Sequence, residues 1–580
     1  MAPYSRWDKI SNELNILLGF CVLFVLILAP ILLSGYFCGS VPASHANETV
    51  HVKILAINDF HGQLPAGQTL NNRQAGSIPV LSSYLKSSMA SGKADGIIIA
   101  LPGDVVGASP PESGLLLDEP TMLFFNGYAN SYCAIGSNSP STSCNMVATL
   151  GNHEFDKGIP ELMRKINGGN GTTNITHLVN PYPGTRIDYV CANVVWDSNN
   201  TPILPPYTLR NVGGVPIAFI GVDTMNTPVL EDATDVKGVT FLDEADSINR
   251  YIPEIRKQGV HAIVVLLHEG GNQTPYDGPT RANGMVTGRV TDIIPRLDSD
   301  VDVVLSAHTH EFTNTYLTNA GKKPVLVTQA YMYSMGYADI DLTIDKSSGD
   351  IIAKSAQIIP TYADQPPGTS PDPAATAFLA VDENALAPIE NQLIGVAAIS
   401  INRTQDSAGE ETLGDMVIDG QRAAMKTDVA FDTAGDIRAD LAAGNITWGN
   451  LYSVQPFGDT VLSMTLSGAQ VQQALEQQWQ VPLPPHNLLV SGLNYTWDAS
   501  KPAGSKVTSV TIHGVLLNPK TIYTVATVTY LAGGGDRYTT FKEGKDIKNG
   551  PSDIDAFVAY VESLPQPVNM KVDGRIQRIN

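Results

Sequence analysis

Short apolar runs recur through the first half of the chain, and each run ends in a few polar residues. These runs occupy residues 52–57, 97–101, 146–150, 263–267 and 301–307. Continuous apolar runs of this length are typical of strands that are buried on both faces of a parallel sheet. Between them lie stretches with helical spacing, such as residues 78–91 and 243–258. This alternation of strands and helices from residue 50 to about 360 predicts an α/β domain.

The N-terminal region has the pattern of an export segment. Arg6 and Lys9 precede an apolar stretch at residues 16–37, and small residues follow it. This order predicts a signal peptide at residues 1–46, so we expect the mature protein to be secreted, periplasmic or on the cell surface. The apolar stretch is also long enough to span a bilayer, so a retained N-terminal membrane anchor is the alternative.

The rest of the chain is too long for one hydrophobic core and should form two domains. Residues 361–394 begin as a proline-rich linker and continue as a helix-like segment. They separate a predicted domain at residues 50–360 from a second domain at residues 395–580. Residues 108–145 and 167–187 are rich in Gly, Asn, Ser and Pro, and this composition predicts long surface loops.

The composition excludes one class of partner. The 580 residues are 43% hydrophobic and 16% charged, which is typical of a folded globular protein. The chain has 36 basic and 57 acidic residues, which gives a net charge of −21. Because nucleic-acid polymers are bound through Lys and Arg side chains, we expect a small-molecule partner instead.

The cysteines agree with export. Cys133 and Cys144 flank a stretch rich in Ser and Asn and are candidates for a disulfide, as export permits. Cys191, within residues 189–195, has the surroundings of a buried strand cysteine. The sequence has no Cys-x-x-Cys spacing that would indicate a zinc finger.

Each apolar run ends in side chains that bind metals. Asp, His and Asn side chains follow the five runs at Asp59 and His61, Asp104, Asn152, His268, and His308 with His310. Ligands are expected at this edge of an α/β sheet. Oxygen and imidazole donors without thiolates suit zinc, manganese or iron. Seven candidates are enough for two ions, and Asp104, which stands alone on its loop, is the natural carboxylate to bridge them.

The loop after the third run also carries a candidate acid–base pair. Its sequence is Gly-Asn-His-Glu-Phe-Asp at residues 151–156. His153 can carry a proton near pH 7, and Asp156, three residues later, can orient it. From outside the metal shell, such an imidazole can stabilise the transition state or protonate the leaving oxygen.

Two aromatic residues of the second half stand near glycines. Phe457 lies in a Gln-Pro-Phe-Gly stretch, and Tyr530 shortly precedes three glycines at residues 533–535. Core packing is the commoner fate of a single aromatic side chain, but glycine allows the backbone to approach a ligand. These stretches are therefore candidate loops of a binding surface.

Together the motifs resemble those of a known family. The loops at residues 58–62, 103–104, 151–156, 268 and 307–310 resemble those of the calcineurin-like metallophosphoesterases. The stretches at residues 414–415, 435–438, 455–458 and 530–536 resemble the C-terminal domain of secreted 5′-nucleotidases. The resemblance covers nearly the whole mature chain. It implies a four-layer α/β/β/α metal domain, a separate α+β substrate-binding domain and a cleft between them.

The resemblance also implies a role for each candidate residue. The ligands of one divalent ion would be Asp59, His61, Asp104 and His310. Those of the other ion would be Asp104, Asn152, His268 and His308. The remaining roles would be catalysis for His153 and Asp156, base binding for Phe457 and Tyr530, ribose contact for Asp536, and phosphate or substrate contact for Arg438. Zinc is the first candidate for the two ions, with manganese, cobalt and iron as alternatives.

The chain departs from the family pattern at four places. Thr433 replaces the usual Asn and so removes an amide that can both donate to and accept from a base. Asp436 replaces the usual Gly and puts a carboxylate near the path of the phosphate. Tyr530 replaces the usual Phe and adds a hydroxyl, and the usual arginine before Gly-Asn is not evident at residues 407–411. Hydrolysis is therefore better supported than a preference for AMP.

Three functional hypotheses follow. The first is an exported two-metal phosphomonoesterase that hydrolyses nucleoside 5′-monophosphates with a metal-activated water. The second is a 2′,3′-cyclic nucleotide phosphodiesterase, or a pyrophosphatase for nucleotide sugars or dinucleotides, that uses the same site. The third is a surface nucleotide-binding protein without turnover, which the complete set of ligands and the acid–base pair disfavour. The oligomeric state is open.

Overall fold

The computed structural model describes residues 48–580 apart from 93, 172–178, 180, 283 and 481–484. The predicted signal peptide or anchor at residues 1–46 lies outside the described residues. The described residues form one compact unit, in which the two halves are in contact. Within the described ranges, each helix is too short or too polar to cross a bilayer.

The first half contains two β-sheets whose strands include the predicted apolar runs. In the first sheet the strands are, in spatial order, Ile351–Pro360, Gly336–Asp345, Thr49–Ala56, Gly96–Leu101, Met146–Ala148 and Asp188–Tyr189. In the second sheet they are Phe312–Thr318, Pro324–Ala330, Val303–Ser306, Ala262–Leu267, Val215–Val222 and Tyr207–Val212. The strands that precede the ligand-bearing loops are parallel to one another within each sheet, so their carboxyl ends lie at a common edge.

Apolar side chains fill the space between the two sheets. Ile54 and Ala100 of the first sheet pack with Phe219, Leu266 and Leu305 of the second. The outer faces are covered by the helices Ile78–Met89, Glu119–Asn126 and Gly158–Asn167 on one side and Glu244–Lys257 and Val290–Ile293 on the other. The central strands are therefore buried on both faces, which explains why their sequences are mostly apolar. The predicted four-layer α/β/β/α arrangement is confirmed.

The helix Glu244–Lys257 shows how local sequence produces one of these layers. Asp243 caps its N-terminus by accepting a hydrogen bond from the backbone nitrogen of Asp246 at 2.9 Å. Ile248, Ile252 and Ile255 recur at helical spacing and are fully buried against the second sheet. The cap sets where the helix begins, and the isoleucine stripe sets which face it buries.

The second half combines sheets and helices, as the predicted α+β class requires. Its larger sheet contains, in spatial order, Leu488–Ser491, Val429–Thr433, Ile522–Val528, Thr460–Ser467 and Lys545–Ser552. Its smaller sheet contains Val515–Leu516, Val507–Ile512, Leu493–Asp498 and Ile576–Ile579. The helices of this half are Thr412–Met425, Trp448–Val454, Gly468–Glu476 and Asp553–Ser563. The predicted bridging helix is Pro373–Glu390, which packs against helices of both halves.

Short elements complete the fold. Paired short strands are Thr69–Leu70 with Arg73–Gln74, Val194–Trp196 with Val239–Phe241, and Leu393–Ala397 with Gly444–Thr447. Short helical segments are Pro111–Gly114, Asn152–Phe155, Thr227–Leu230, Ile294–Arg296, Ala434–Asp436, Thr529–Ala532, Gly535–Arg537 and Thr539–Glu543.

The prediction of a long surface loop at residues 108–145 is wrong in part. This stretch contains the helices Pro111–Gly114 and Glu119–Asn126, and Met122 and Phe125 are buried in the core of the first half. Composition favoured a loop, but tertiary packing of a few apolar side chains overrides local propensity. In the second predicted loop, Tyr182 is buried, and residues 172–178 and 180 lie outside the described residues.

The cysteine predictions are largely confirmed. Cys133 and Cys144 form a disulfide. Cys191 is buried, as predicted, but it lies between the strands Asp188–Tyr189 and Val194–Trp196 instead of within a strand.

Candidate functional site

The ligand-bearing loops of the two sheets meet in one place, and their backbone turns sharply there. The angle φ is positive at Asp59, His61, Asp104, His308 and His310. A left-handed backbone is unfavourable for residues other than glycine, so the surrounding structure must hold it in place. Such local strain is concentrated at functional sites.

One cluster consists of Asp59, His61, Asp104 and His310, whose candidate ligand atoms all lie within 4.8 Å of one another. His61 Nε2 lies 3.0 Å from His310 Nε2 and 3.5 Å from Asp104 Oδ2. His310 Nε2 lies 3.7 Å from Asp59 Oδ1. The structure thus brings together the four residues predicted for one metal ion.

A second cluster consists of Asp104, His268 and His308, again with ligand atoms within 4.8 Å of one another. His268 Nε2 lies 3.1 Å from Asp104 Oδ2, the same oxygen that faces His61. Asp104 therefore lies between the two clusters, in the position of a bridging carboxylate. Asn152 lines the same cavity as Asp104 and His308.

The donor atoms are oriented as metal ligands. His61 Nδ1 lies 2.9 Å from the carbonyl oxygen of Gly107, and His268 Nδ1 lies 3.0 Å from that of Pro102. Each Nδ1 is therefore placed to donate to a carbonyl oxygen, which directs each Nε2 toward the cluster. Among the described residues, Asn152 Oδ1 is buried without a hydrogen-bond partner. Buried oxygens are rarely left unsatisfied, so this one suits a cation, and the residues present fit two divalent ions.

The protonation of the histidines agrees with this arrangement. Burial lowers the pKa of His61 to about 3, and burial also lowers the pKa of His310 well below its usual value, so both rings are neutral. At His268 burial lowers the pKa, but the carboxylates of Asp104 and Asp59 outweigh it and the pKa is raised well above its usual value. A site negative enough to retain a proton on a buried imidazole is one where a divalent cation would displace that proton.

Glu154 organises the loops around Asp104, a role that the motifs did not predict. Its Oε1 atom accepts a hydrogen bond from the backbone nitrogen of Val105 at 2.9 Å. Its Oε2 atom accepts from the backbone nitrogens of Asp104 at 2.9 Å and Gly151 at 2.5 Å. The only sequence signal is the presence of an acidic residue inside the 151–156 motif.

Gly151→Ala is expected to disrupt the site, because a Cβ atom at this position would lie 2.3 Å from Asp104 Oδ1. Asp104 would have to move, and a displacement of about 1 Å at a catalytic site can cost about 10²-fold in rate. We expect kcat and bound metal both to fall, as measured by phosphate release and elemental analysis.

Gly127→Ala is the matched control for this variant. Gly127 has a φ of −65°, which alanine adopts readily, and it lies at the end of the helix Glu119–Asn126. Normal activity and metal content in the Gly151 variant would show that Asp104 does not need its observed position.

The structure also brings together the predicted acid–base pair. His153 Nδ1 lies 2.8 Å from Asp156 Oδ1, and Asp156 Oδ2 accepts a hydrogen bond from the backbone nitrogen of Ala108 at 2.9 Å. Burial lowers the pKa of His153, but the charge of Asp156 outweighs it and the pKa is raised. Burial raises the pKa of Asp156, but the charge of His153 outweighs it and the pKa is lowered. The contact therefore favours the protonated form of His153 and the ionised form of Asp156.

Arg438 reaches the metal-ligand clusters from the second half. Burial lowers its pKa, but Tyr333 and the carboxylates of Asp104 and Asp156 outweigh burial and raise it. Among the described residues, its Nε and Nη2 atoms are buried without hydrogen-bond partners. A guanidinium with unused donors beside these clusters is placed to bind an oxyanion.

Phe457 and Tyr530 line a cavity of 890 Å³ between the two halves, together with His153, Arg438 and Asp536. The rings of Phe457 and His153 are stacked, with centroids 6.0 Å apart and planes 25° apart. The guanidinium of Arg438 lies 5.9 Å from the Phe457 ring centroid. The predicted substrate-binding residues therefore share one cavity with the acid–base pair.

The hydroxyl that distinguishes Tyr530 from phenylalanine has its own contacts. It lies 3.0 Å from Asp536 Oδ1 and 3.2 Å from the carbonyl oxygen of Val229 in the first half. Lys157 makes a second contact between the halves, since its Nζ atom donates to the carbonyl oxygen of Phe457 at 2.6 Å. Tyr530 lies in the helix Thr529–Ala532, so the prediction that it stands on a loop is wrong.

The contacts of Glu231 and Thr433 near the site could not be predicted from the motifs. Glu231 Oε1 accepts a hydrogen bond from Asn152 Nδ2 at 3.0 Å, which leaves Asn152 Oδ1 as the atom available to a cation. Glu231 is 79 positions from Asn152 in sequence, so no local motif could reveal the contact. Thr433 Oγ1 accepts a hydrogen bond from the backbone nitrogen of Gly435 at 3.1 Å, so it caps a turn.

Comparisons with known proteins identify both halves. The sequence model for calcineurin-like phosphoesterases matches residues 52–312, and the model for the 5′-nucleotidase C-terminal domain matches residues 390–543. In a comparison of structures, the 5′-nucleotidase precursor from Thermus thermophilus superposes on this chain with a TM-score of 0.73. The two chains are 25% identical, and the superposition covers 91% of this chain and 99% of that one.

Relatives known by sequence include larger proteins. The endonuclease YhcR of Bacillus subtilis is 35% identical over 542 residues, which are 91% of this chain and 41% of that protein. The cell wall protein Lmo0130 of Listeria monocytogenes is 33% identical over 570 residues, which are 91% of this chain and 69% of that protein. The chain thus spans less than half of the Bacillus relative and about two thirds of the Listeria relative.

Proposed function

Because this chain belongs to the 5′-nucleotidase family, in which a calcineurin-like phosphoesterase domain is joined to a 5′-nucleotidase C-terminal domain, we propose that it hydrolyses nucleoside 5′-monophosphates. The products would be a nucleoside and inorganic phosphate. The chain is a metal-dependent phosphoric ester hydrolase, and its family includes 5′-nucleotidases. In the proposed substrates the phosphate is on the 5′ oxygen and has a single ester bond.

One observation carries the proposal: a single 890 Å³ cavity is lined by metal-ligand candidates from the first half and by an aromatic pair from the second. Asp104 and His308 lie on the first side, and Phe457 and Tyr530 lie on the second. A nucleotide has the same two parts, an anionic phosphate and a planar base. One such molecule can contact both sides of the cavity at once.

We propose that the two clusters each hold a divalent cation. The ligands of one would be Asp59, His61, Asp104 and His310, and those of the other Asp104, Asn152, His268 and His308. When bound, the cations would neutralise the phosphoryl oxygens and lower the pKa of a water that attacks phosphorus. Zinc is the first candidate, because imidazole and carboxylate donors without thiolates suit it, and manganese, cobalt or iron are alternatives.

The chain's own groups would then handle the proton and the anion. His153 Nδ1 lies 2.8 Å from Asp156 Oδ1, so Nδ1 would donate to Asp156 and Nε2 would hold the proton that passes to the leaving 5′ oxygen. The unused donors of Arg438 would bind the phosphate. Phe457 and Tyr530 would enclose the base, and Asp536 would contact the ribose.

We propose further that the protein is exported by residues 1–46 and acts as two domains. Residues 50–360 would bind the metals and residues 395–580 the nucleoside, joined by the linker and bridging helix at residues 361–394. The export segment, the disulfide Cys133–Cys144 and the similarity to a cell wall protein support this location.

A substrate panel tests the proposed reaction. Released phosphate and released nucleoside should be quantified separately for nucleoside 5′-monophosphates, 2′,3′-cyclic nucleotides, dinucleotides and nucleotide sugars. We expect equimolar nucleoside and phosphate from the 5′-monophosphates. Cleavage of the cyclic nucleotides or of a pyrophosphate bond at a higher kcat/KM would replace the proposal by the phosphodiesterase or pyrophosphatase hypothesis.

Phe457→Ala is expected to raise KM for AMP by about tenfold or more. Stacking of a base on an aromatic ring contributes about 1–3 kcal/mol, and 1.4 kcal/mol is a factor of about ten. The loss should be much smaller with 4-nitrophenyl phosphate, which can reach the metal ions without a base between the aromatic rings. The measurement is kcat and KM for both substrates.

Tyr530→Phe is the companion variant. It keeps the ring but removes the hydroxyl that contacts Asp536 and Val229. We therefore expect a smaller rise in KM for AMP than at Phe457. If kcat/KM fell equally for AMP and for 4-nitrophenyl phosphate in the Phe457 variant, the ring would serve to pack against His153 and not to bind the base.

A further inference from the structure

The aromatic end of the cavity is surrounded by carboxyl groups. Asp436, Asp459 and Asp536 line the cavity beside Phe457 and Tyr530. Asp432 is fully buried behind Asp436, where the two carboxyl groups lie within hydrogen-bonding distance. The charged neighbours of Asp436 are these aspartates, not the metal ligands, so its carboxyl belongs to the base end of the cavity.

The cations that line this end already contact groups of the protein, although Lys157, whose partner is a neutral carbonyl oxygen, keeps its charge and acts on Asp459. Lys157 donates to the carbonyl oxygen of Phe457 at 2.6 Å, and His486 Nδ1 lies 3.5 Å from Asp536 Oδ1. Arg164 is paired with Glu161 and Glu119, with both contacts at 2.7 Å.

Among the Lys and Arg residues that line the cavity, the remaining one is Arg438, which interacts with Asp104 and Asp156 and lies 5.9 Å from the Phe457 ring centroid. In the lining of the whole cavity, nine Asp and Glu residues stand against three Lys and Arg residues, so carboxyl groups outnumber the permanent cations.

The protonation of the aspartates supports this charge count. Burial, with the neighbouring Asp432, raises the pKa of Asp436 well above its usual value, so the two carboxyl groups share one proton and one negative charge. Burial raises the pKa of Asp459 to about 6, which leaves it largely ionised at neutral pH. The base end thus carries negative charge from the Asp432–Asp436 pair and from Asp459.

Aromatic faces combined with carboxylates are the chemistry that recognises organic cations. The face of an aromatic ring is negative, so a cation between two rings is attracted to both, and nearby carboxylates add to that attraction. A neutral base gains the stacking but not the charge interaction. The Asp in place of the usual Gly at position 436 adds to this preference, and Tyr530 brings its hydroxyl to Asp536 without loss of the ring face.

We propose that the base site prefers nucleoside 5′-monophosphates whose base is a permanent cation, such as a pyridinium ring, over those with a neutral base. This inference rests on the proposed function, because it names the substrate class of the same site. The residues that determine the preference are Asp436 and Asp459, which act on the charge of the base while the metal ligands act on the phosphate.

The test compares nicotinamide mononucleotide with its 1,4-dihydro form at pH 8. The two molecules have the same phosphate, ribose and ring size, and they differ by one hydride, which removes the positive charge and the aromaticity of the ring. We expect kcat/KM to be about tenfold or more higher for the oxidised, cationic form. Opposite unit charges a few ångströms apart in a partly buried site attract each other strongly enough to change an equilibrium constant by at least that factor. 7-Methylguanosine 5′-monophosphate and GMP provide a second pair, measured at pH 6, where the methylated base is cationic.

The double variant Asp436→Asn, Asp459→Asn should bring the ratio of the cationic to the neutral form close to one. Asparagine preserves the side-chain volume, and its carbonyl oxygen can still accept the hydrogen bond that Asp459 receives from Thr529 Oγ1 at 2.6 Å. Asp546→Asn is the matched control, since it removes one carboxylate from an exposed position in the same half. A second measurement, the thermal unfolding temperature, shows whether each variant is folded.

The outcomes separate this inference from the proposed function. If AMP is hydrolysed but the oxidised and reduced mononucleotides have equal kcat/KM, the inference is overturned and the proposed function stands. A ratio that persists in the folded double variant also overturns it. The inference is also overturned if the enzyme prefers bases with amino groups over IMP and UMP but shows no effect of charge. In that case the aspartates would recognise the base by accepting its hydrogen bonds. If only 4-nitrophenyl phosphate releases phosphate, the proposed function fails and the inference fails with it.

Discussion

Asp104→Ala should abolish phosphate release and leave the protein unable to retain either metal ion. Asp104 Oδ2 lies 3.5 Å from His61 Nε2 and 3.1 Å from His268 Nε2, so one oxygen faces both clusters. Removal of a bridging carboxylate takes a ligand from both ions at once and leaves two sets of histidines without the negative charge that offsets the cations. The measurement is metal content per chain by elemental analysis, together with phosphate release from AMP.

Chelation of the unmodified enzyme should have the same effect on activity but should be reversible. Activity should return on addition of zinc, manganese or cobalt, whereas the Asp104 variant should remain inactive with each metal. His310→Ala is the comparison variant, because it removes a ligand from one cluster and should reduce the metal content by about one ion. An Asp104 variant that retained two ions and normal turnover would contradict the assignment of the bridge.

His153→Ala should lower kcat by about 10²–10⁴-fold with little loss of metal, the range typical of general acid–base catalysis. His153 Nδ1 lies 2.8 Å from Asp156 Oδ1, and the ring lines the cavity. His153 belongs to neither of the two clusters of candidate metal ligands that contain Asp104. Substrate binding should change less than turnover, because the proton is needed on the leaving oxygen in the transition state.

Asn152→Ala is the matched comparison on the adjacent residue. Asn152 Oδ1 is a buried oxygen without a hydrogen-bond partner among the described residues, so its removal should weaken metal binding first. Asp156→Asn should lower kcat without loss of metal, as at His153, because it changes the orientation of that imidazole. A His153 variant with full activity on nucleotides would exclude this residue from the mechanism.

The sequence by itself determined the fold class, the family and the order of the ligand-bearing loops. Five apolar runs predicted strands buried on both faces, and the structure has them between helical layers. Side chains placed directly after parallel strands must lie at one edge of a sheet, so Asp59, Asp104 and Asn152 could be placed together without knowledge of the loops. The ligand roles of these residues remain predictions until metal is measured.

Only the tertiary structure decided which groups support the site. Glu154 binds three backbone nitrogens, and Glu231 orients an amide 79 positions away in sequence. Neither contact has a local signature, because each depends on how loops from different strands turn after they leave the sheet. The helices inside residues 108–145 have the same cause, since burial of Met122 and Phe125 outweighs a composition that favours loops.

The character of the substrate cavity was also decided by the tertiary structure. The sequence showed that Asp436 stands where glycine is usual, but not that Asp432 lies behind it or that Asp459 and Asp536 line the same end. Electrostatic interactions depend on distance and burial, and neither can be obtained from the spacing of residues along the chain. Residue types are sufficient to predict chemistry where strand geometry fixes their positions, whereas the charge around a bound base depends on how two halves of the chain pack together.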